Sequence, residues 1–332
     1  MENKKRILHV LASNKFSGAE NVACTIIENM SDEYEMAYCS PDGEIRKSLL
    51  EKKIKYYGVK TLSIKELKKV IEAFKPDVIH AHDFKASFIS SKFSKKIIII
   101  SHLHKNDPKM AKISLKSILY MFASRKFKNI VGVSNSVLDE YIFKNKIKKK
   151  YITLFNYIDK EKIINLSKKN KVNKQYDLFY FGRLSDEKNP LEFIEIVNLL
   201  RGNNIKCLMI GDGPLRKKCE ELIKEYNLQD NIDMVGFQSN PYPYINASKI
   251  CIMPSKFEGF GLAAIECNIL KKPVFNSGVG GLNSIFLNND KFKCYSINEY
   301  AKKILEYKNE KQIIDNRILD KQMFVEFIKH LY

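Results

Sequence analysis

Residues 257–266 read FEGFGLAAIE, which places Glu258 and Glu266 eight positions apart around a Gly-x-Gly turn and the helix formers Leu262, Ala263, Ala264 and Ile265. A strand-like run, KICIMPS (249–255), comes just before. A helix that starts near Gly261 leaves its first N–H groups unpaired, and such a helix start is an anion-binding place. A phosphate would sit against the main chain of Phe260, Gly261 and Leu262. Glu266 lies more than a turn further in. A carboxylate accepts two hydrogen bonds, which suits the two hydroxyls of a ribose. Glu258 stands before the turn, where a sugar would be. The plainer reading has Glu258 favouring the helix dipole and Glu266 exposed to water. Its position beside the core-facing Leu262 and Ile265 speaks against that.

Three other stretches offer related chemistry. FGRLSDEKNP (181–190) carries Arg183 and Lys188 five positions apart, and Asn189-Pro190 suits a helix entry. Two cations near a helix start suit a diphosphate; the alternative is an ordinary polar loop. GDGP (211–214) follows a strand, and Gly211 permits positive φ and close backbone approach, although taken alone a plain turn is the better account of it. SGAE (17–20) opens the first helix: Gly18 would let a ligand approach the main chain, or Ser17 and Glu20 form a capping box. The histidines include two H-x-H pairs, His80/His82 and His102/His104. Residues i and i+2 of a strand share a face. No third ligand has a metal-site spacing, so strand-end histidines are expected and a metal is not.

These stretches need elements to position them. RILHVL (6–11), EMAYCS (35–40), IKYYGV (54–59), DVIHAH (77–82), KKIIIISHLH (95–104) and KNIVGVS (128–134) read as strands separated by helical patterns. The rhythm restarts with YDLFYFG (176–182), IKCLMIG (205–211), NIDMVGF (231–237), KICIMP (249–254) and PVFNSG (273–278), and helical patterns fill 297–330. Such alternation implies α/β architecture with doubly wound parallel sheets. The expected organisation is a first domain over 1–167, a polar linker KKNKVNKQ at 168–175, and a second domain over 176–332 whose last helix could cross back to the first. In such sheets, ligands bind beyond the carboxyl ends of the strands, where the motifs fall.

Composition bounds the rest. A chain of 332 residues with 45% hydrophobic and 29% charged residues suits two globular domains. The longest strongly apolar block is IIII (97–100), far short of the ~20 residues of a membrane span. MENKKRILHV lacks a signal-peptide core, and seven scattered cysteines without a C-x-x-C pair point to reduced thiols; both suggest the cytoplasm. Net charge is +19, and residues 1–160 carry +14 of it, from 31 Lys and Arg against 17 Asp and Glu. A basic half suits an anionic partner, although a solvated basic surface explains it equally well. Within KMAKISLKSILYMFASRKFKNI (109–130), apolar residues interleave with lysines as in a helix lying on a membrane surface; an ordinary packed helix has the same pattern.

In order and spacing, GRLSDEKNP, GDGP, Gly236-Phe237 and EGFGLAAIE resemble the retaining, nucleotide-sugar-dependent glycosyltransferases of group 1, family 4. SGAE, DVIHAHD and LFNYID (154–159) add weaker likeness, so the resemblance covers nearly the whole chain. It implies a GT-B fold, with two facing Rossmann-like domains and an interdomain cleft. By that resemblance, Arg183 and Lys188 would hold the donor diphosphate, with the backbone around Gly18 and Gly211 approaching it. Glu266 would hold the ribose, Gly236 and Phe237 would lie along the base, and Glu258 would contact the donor sugar. His104, or less readily His102, would lie near the transferred sugar and the acceptor. No cofactor or metal is expected, because no Asp-x-Asp metal motif is found and the cations could answer the leaving-group charge. The donor would be a UDP- or GDP-sugar. The acceptor would be a glycan or a lipid-linked glycan of cell-surface polysaccharide synthesis, met peripherally at the inner face of the plasma membrane.

The chain departs from the family pattern in three places. Ser17 and Tyr157 stand where glycines are common, and Leu282-Asn283-Ser284 follows Gly280-Gly281 where an acidic residue is usual. The alternatives are a GT-B sugar-nucleotide epimerase, which needs no acceptor, and a basic nucleic-acid-binding protein. The second is disfavoured because the basic residues are dispersed and no recognised nucleic-acid motif accompanies them.

Overall fold

The computed structural model describes residues 4–16, 18–105 and 107–332. Contacts divide the chain into two compact units, one of residues 1–157 with 320–332 and one of 158–319. The sequence reading placed the break at 168–175, and the structure moves it upstream. The reason is burial: helix Lys160–Ser167 sets Ile163 and Ser167 into the second unit, against helices Tyr242–Asn246 and Leu262–Ile269. The polar run 168–175 is therefore a loop inside that unit.

The first unit holds seven strands: β1 (Arg6–Val10), β2 (Glu35–Pro41), β3 (Tyr56–Val59), β4 (Val78–Ala81), β5 (Ile98–Leu103), β6 (Asn129–Gly132) and β7 (Tyr151–Thr153). All pair in parallel, in the order β3-β2-β1-β4-β5-β6-β7. Six of them coincide with strands read from the sequence. The three-residue β7 escaped that reading because so short a run leaves no period. Both faces of the sheet are buried, which is why the strands read as apolar runs. Leu8, Val10, Ile79 and Ile99 pack on one face, and Ile7, Val78 and Ile100 on the other. Helix Lys321–Leu331 covers the second face through Phe324, Ile328 and Leu331, so the final residues complete the first core.

The second unit holds β8 (Tyr176–Phe181), β9 (Cys207–Ile210), β10 (Ile232–Gly236), β11 (Ser248–Met253) and β12 (Val274–Asn276). They form an all-parallel sheet in the order β10-β9-β8-β11-β12. The strand order reverses between β1 and β4 in the first sheet and between β8 and β11 in the second. A crevice opens beyond the carboxyl ends of the strands at such a switch point. Gly18-Ala19-Glu20 and HAHD flank the first switch point, and FGRLSDEKNP and FEGFG flank the second. Topology, not proximity in sequence, pairs these loops. Ser17, and with it the capping box, lies outside the described residues. Gly18 begins helix Gly18–Met30, and Glu20 is buried in its first turn.

Candidate functional site

The loops at the carboxyl ends of the second sheet are laced together by main-chain hydrogen bonds. After β8 and β9, Leu184 N donates to Asp212 O at 3.0 Å and Leu215 N to Leu184 O at 2.9 Å. Gly211 N donates to Gly236 O at 2.9 Å, joining the β9 and β10 ends. Gly211 has φ of 138°, and a Cβ there would stand 1.9 Å from Gly182 O. Backbone packing against the neighbouring loop therefore requires this glycine, whatever ligand approaches. Gly211→Ala is expected to cost about 3 kcal/mol of stability and to lower the melting temperature by several degrees. A variant that melts with the wild type would contradict this packing.

On the other side of the switch point, Lys256 N donates to Glu187 O at 2.9 Å, tying the β11 end to the β8 loop. That bond brings together two residues 70 positions apart: Lys188 Nζ is ion-paired with Glu258 Oε2. Glu258 is buried and Lys188 partly exposed. The sequence reading sent these residues separately to phosphate and sugar; in the structure they engage each other. Arg183 is exposed and makes no ion pair among the described residues. Asn189 takes a left-handed φ of 52° at the N-cap position of the helix begun by Pro190, without a side-chain capping bond.

Gly261, with φ of 92°, is the N-cap of helix Leu262–Ile269. A Cβ there would press to 2.9 Å from Leu282 and 3.1 Å from Ile285. The Gly280-Gly281 turn closes over the same loop: Gly281 N donates to Glu258 O at 3.1 Å, and a Cβ on Gly280 would stand 1.8 Å from that oxygen. This main-chain contact needs no acidic side chain after the two glycines, where Leu282-Asn283-Ser284 stands. The Phe260 side chain is buried, so its ring serves the core and its main chain alone lines the turn. Phe237, in contrast, is 77% exposed at the end of β10.

Glu266 is half-buried, contrary to the exposed alternative, and accepts a hydrogen bond from the Tyr242 hydroxyl at 3.4 Å. Desolvation pushes its carboxyl up to about 7, with the tyrosine hydrogen bond pulling the other way. Tyr242 went unnoticed in the sequence because it lies in helix Tyr242–Asn246, with no motif of its own. The structure therefore gathers Lys188, Glu258, Gly261, Leu262 and Glu266 around one turn, and joins Gly211 to Gly236 beside them. Gly18 and His104 belong to the other unit.

His104 follows β5 and packs against His82 and His102, with ring centroids 5.1 and 4.0 Å away. Burial pushes its imidazole down to about 3. The two H-x-H pairs do share one face, and β1 contributes a neighbour, His9, that spacing could not reveal. His9, His80 and His82, or His82, His102 and His104, offer nitrogens lying within 4.8 Å of one another. Either triplet could hold a late first-row metal ion by ligand type.

Two family descriptions match this chain. "Glycosyltransferase Family 4" covers residues 16–162 and "Glycosyl transferases group 1" covers 161–322. An uncharacterized glycosyltransferase of Methanocaldococcus jannaschii is 31% identical over 63% of this chain and 57% of its own length. This chain thus spans a little over half of that relative. The capsular polysaccharide biosynthesis glycosyltransferase CapH of Staphylococcus aureus is 22% identical over 98% of both chains. Among solved structures, Anabaena HepE in complex with UDP superposes with a TM-score of 0.83 at 17% identity, over 98% of this chain and 99% of its own. At that identity the likeness speaks for the fold.

Proposed function

The chain belongs to the group 1, family 4 glycosyltransferases and has their GT-B fold, and from that premise we propose that it moves a sugar from a nucleoside-diphosphate sugar to a hydroxyl acceptor with retention of configuration. The observation that carries this reading is the Lys188–Glu258 pair at the second switch point, beside a glycine-capped helix start and the partly buried Glu266. Departure of the nucleoside diphosphate develops negative charge on the leaving phosphate. Arg183, Lys188 and the N–H groups at Gly261 and Leu262 would stabilise that charge without a metal. Lys188 has three N–H donors, so it can keep Glu258 and still reach a phosphate oxygen. Glu258, positioned by the lysine, would meet the sugar, Glu266 the ribose, and the exposed Phe237 the base. With the diphosphate held on one side of the anomeric carbon, attack from that same side gives retention.

A thermal-shift screen against nucleoside diphosphates and their sugars tests the reading. At least one UDP- or GDP-ligand is expected to raise the melting temperature by several degrees. Generic DNA binding that weakens with salt, with no response to any nucleotide sugar, would favour the nucleic-acid alternative instead.

The acceptor proposed is a glycan or a lipid-linked glycan, as CapH's role in capsule synthesis suggests. No described helix is long and apolar enough to cross a membrane. Helix Leu115–Ser124 turns Tyr120 and Ala123 into the first core, yet leaves apolar side chains outside. Ile113 is 72% exposed, Leu115 74% and Phe122 51%, among the exposed Lys109, Lys112, Arg125 and Lys126. An apolar edge set in cations suits an anionic membrane surface. Sedimentation with anionic liposomes is expected to carry the protein down at low salt and release it at high salt. Leu115→Glu should weaken that binding, and equal sedimentation with neutral liposomes would refute it.

A further inference from the structure

Five of the six histidines meet at the carboxyl ends of β1, β4 and β5. His9 lies beside His80 in register, on the sheet face covered by helix Lys321–Leu331. The ring nitrogens connect head to tail. His104 Nε2 lies 2.9 Å from His82 Nδ1, and His82 Nε2 lies 2.8 Å from His9 Nδ1. His9 Nε2 lies 3.3 Å from the Tyr332 hydroxyl, which lies 2.8 Å from His80 Nδ1. His80 Nε2 then lies 3.2 Å from His102 Nδ1. The two ends, His104 Nδ1 and His102 Nε2, are buried and have no hydrogen-bond partner among the described residues.

Counting hydrogens along this chain gives a definite result. A neutral imidazole carries one N–H and one lone pair. Burial drives all five rings well below the ordinary histidine range, so each is neutral. If His104 holds its hydrogen on Nε2, it donates to His82 Nδ1, whose own hydrogen must then lie on Nε2. The same step repeats at His9. The Tyr332 hydroxyl accepts there and donates to His80, which passes the sense on to His102. All five rings are then Nε2–H; in the reverse sense, all five are Nδ1–H. A mixed set leaves two lone pairs or two hydrogens facing each other, or the tyrosine hydrogen unused, each an unmet buried polar group.

Metal ligation fits these distances less well. Two nitrogens on one tetrahedral zinc, each bound at ~2.0–2.1 Å, stand about 3.3 Å apart. The 2.8 and 2.9 Å contacts at His82 are shorter and suit a shared hydrogen.

We propose that His104, His82, His9, Tyr332, His80 and His102 form one hydrogen-bond relay, whose five imidazoles share a single tautomer and reverse it only together. Its open ends are then always one donor and one acceptor. In the Nε2–H sense, His104 Nδ1 is bare and His102 Nε2 carries a hydrogen. Both ends are buried, so the sense is set inside the sheet and reverses only if every shared hydrogen moves at once. Every ring and the phenol are neutral in either sense, so no charge is placed in the buried sheet.

Long-range 1H–15N NMR of the full chain labelled with 15N-histidine tests the relay without any turnover. Exposed His330 supplies a solvent reference. At neutral pH the five buried rings are expected to be neutral and all of one tautomer. Tyr332→Phe removes the linking hydroxyl, so the His104–His82–His9 run and the His80–His102 pair become independent, and at least one of them should gain signals of the opposite tautomer. Mixed tautomers in the wild type, an imidazolium among the five, or a stoichiometric zinc-induced shift of three rings would overturn the relay. Signals unchanged in both runs of Tyr332→Phe would overturn it as well. If that variant fails to fold, the wild-type tautomer pattern decides alone. A failed relay leaves the nucleotide-sugar reading standing, because ligand-induced stabilisation tests that separately.

Discussion

Lys188→Met is expected to lower turnover by about 100- to 1,000-fold, the usual cost of deleting one preorganised donor aimed at developing charge. The argument starts from placement. Main-chain bonding of Lys256 to Glu187 O holds the β8 and β11 loops together, and Lys188 stands at that junction with its ammonium on Glu258. Methionine keeps the length of the side chain and removes the charge. It also strands Glu258, which is buried, without its cation. A stability loss of about 1–3 kcal/mol should therefore accompany the loss of turnover, moderated because Lys188 is partly in water. Combining Lys188→Met with Glu258→Gln removes both charges and should recover most of the stability. It should not recover turnover, and that separates the two roles of the lysine. Turnover within about threefold of wild type in Lys188→Met, assayed with any accepted donor, would remove the residue from the leaving-group site.

The second large effect is a pH dependence carried by Glu266. Its folded carboxyl is raised from 4.5 to about 7 by burial. Between those values the native chain keeps a proton that the unfolded chain has released. This contribution to stability is therefore greatest below about 4.5, declines as pH rises, and levels off above about 7. The decline amounts to at most about 3 kcal/mol. Ligand binding runs the opposite way. If Glu266 holds the ribose as proposed, its ionised carboxylate is the form that accepts hydrogen bonds from both hydroxyls, so a nucleotide sugar must first expel the proton. Affinity for UDP-glucose, whose diphosphate charge is constant over this range, is expected to be about tenfold weaker at pH 6 than at pH 8. Glu266→Gln should bind weakly and equally at both. Calorimetry on wild type and variant measures this directly, and equal wild-type affinity at the two pH values would take Glu266 off the ribose.

Much of this molecule is readable along the chain. Parallel strands buried on both faces must be apolar runs, and helices between them must keep a 3.6-residue stripe, so eleven of the twelve strands among the described residues announce themselves. The site turns are equally local: a glycine before a helix, a cation five residues after another, and a carboxylate one turn in are all short-range facts.

What the chain order hides is which of these pieces meet. Lys188 and Glu258 carry opposite charges 70 positions apart, and their pairing depends on β8 lying beside β11. The glycine at 211 suggests room for a ligand, but the main chain of Gly182 stands where its Cβ would be and requires glycine there in any case. Helix Lys160–Ser167 belongs to the second unit because its apolar side chains are covered there, which no polar linker signals. The histidines show the difference most plainly. Two H-x-H pairs are visible in the sequence, but a connected set needs β1 to lie beside β4 and Tyr332 to fold back onto the same face. The sequence by itself determined the elements and the residue types at their ends, because periodicity and turn chemistry act over a few residues. The tertiary structure alone decided the pairings, because strand order and the packing of the last helix bring together groups as far apart as His9 and Tyr332, 323 positions away, and no local pattern records that distance.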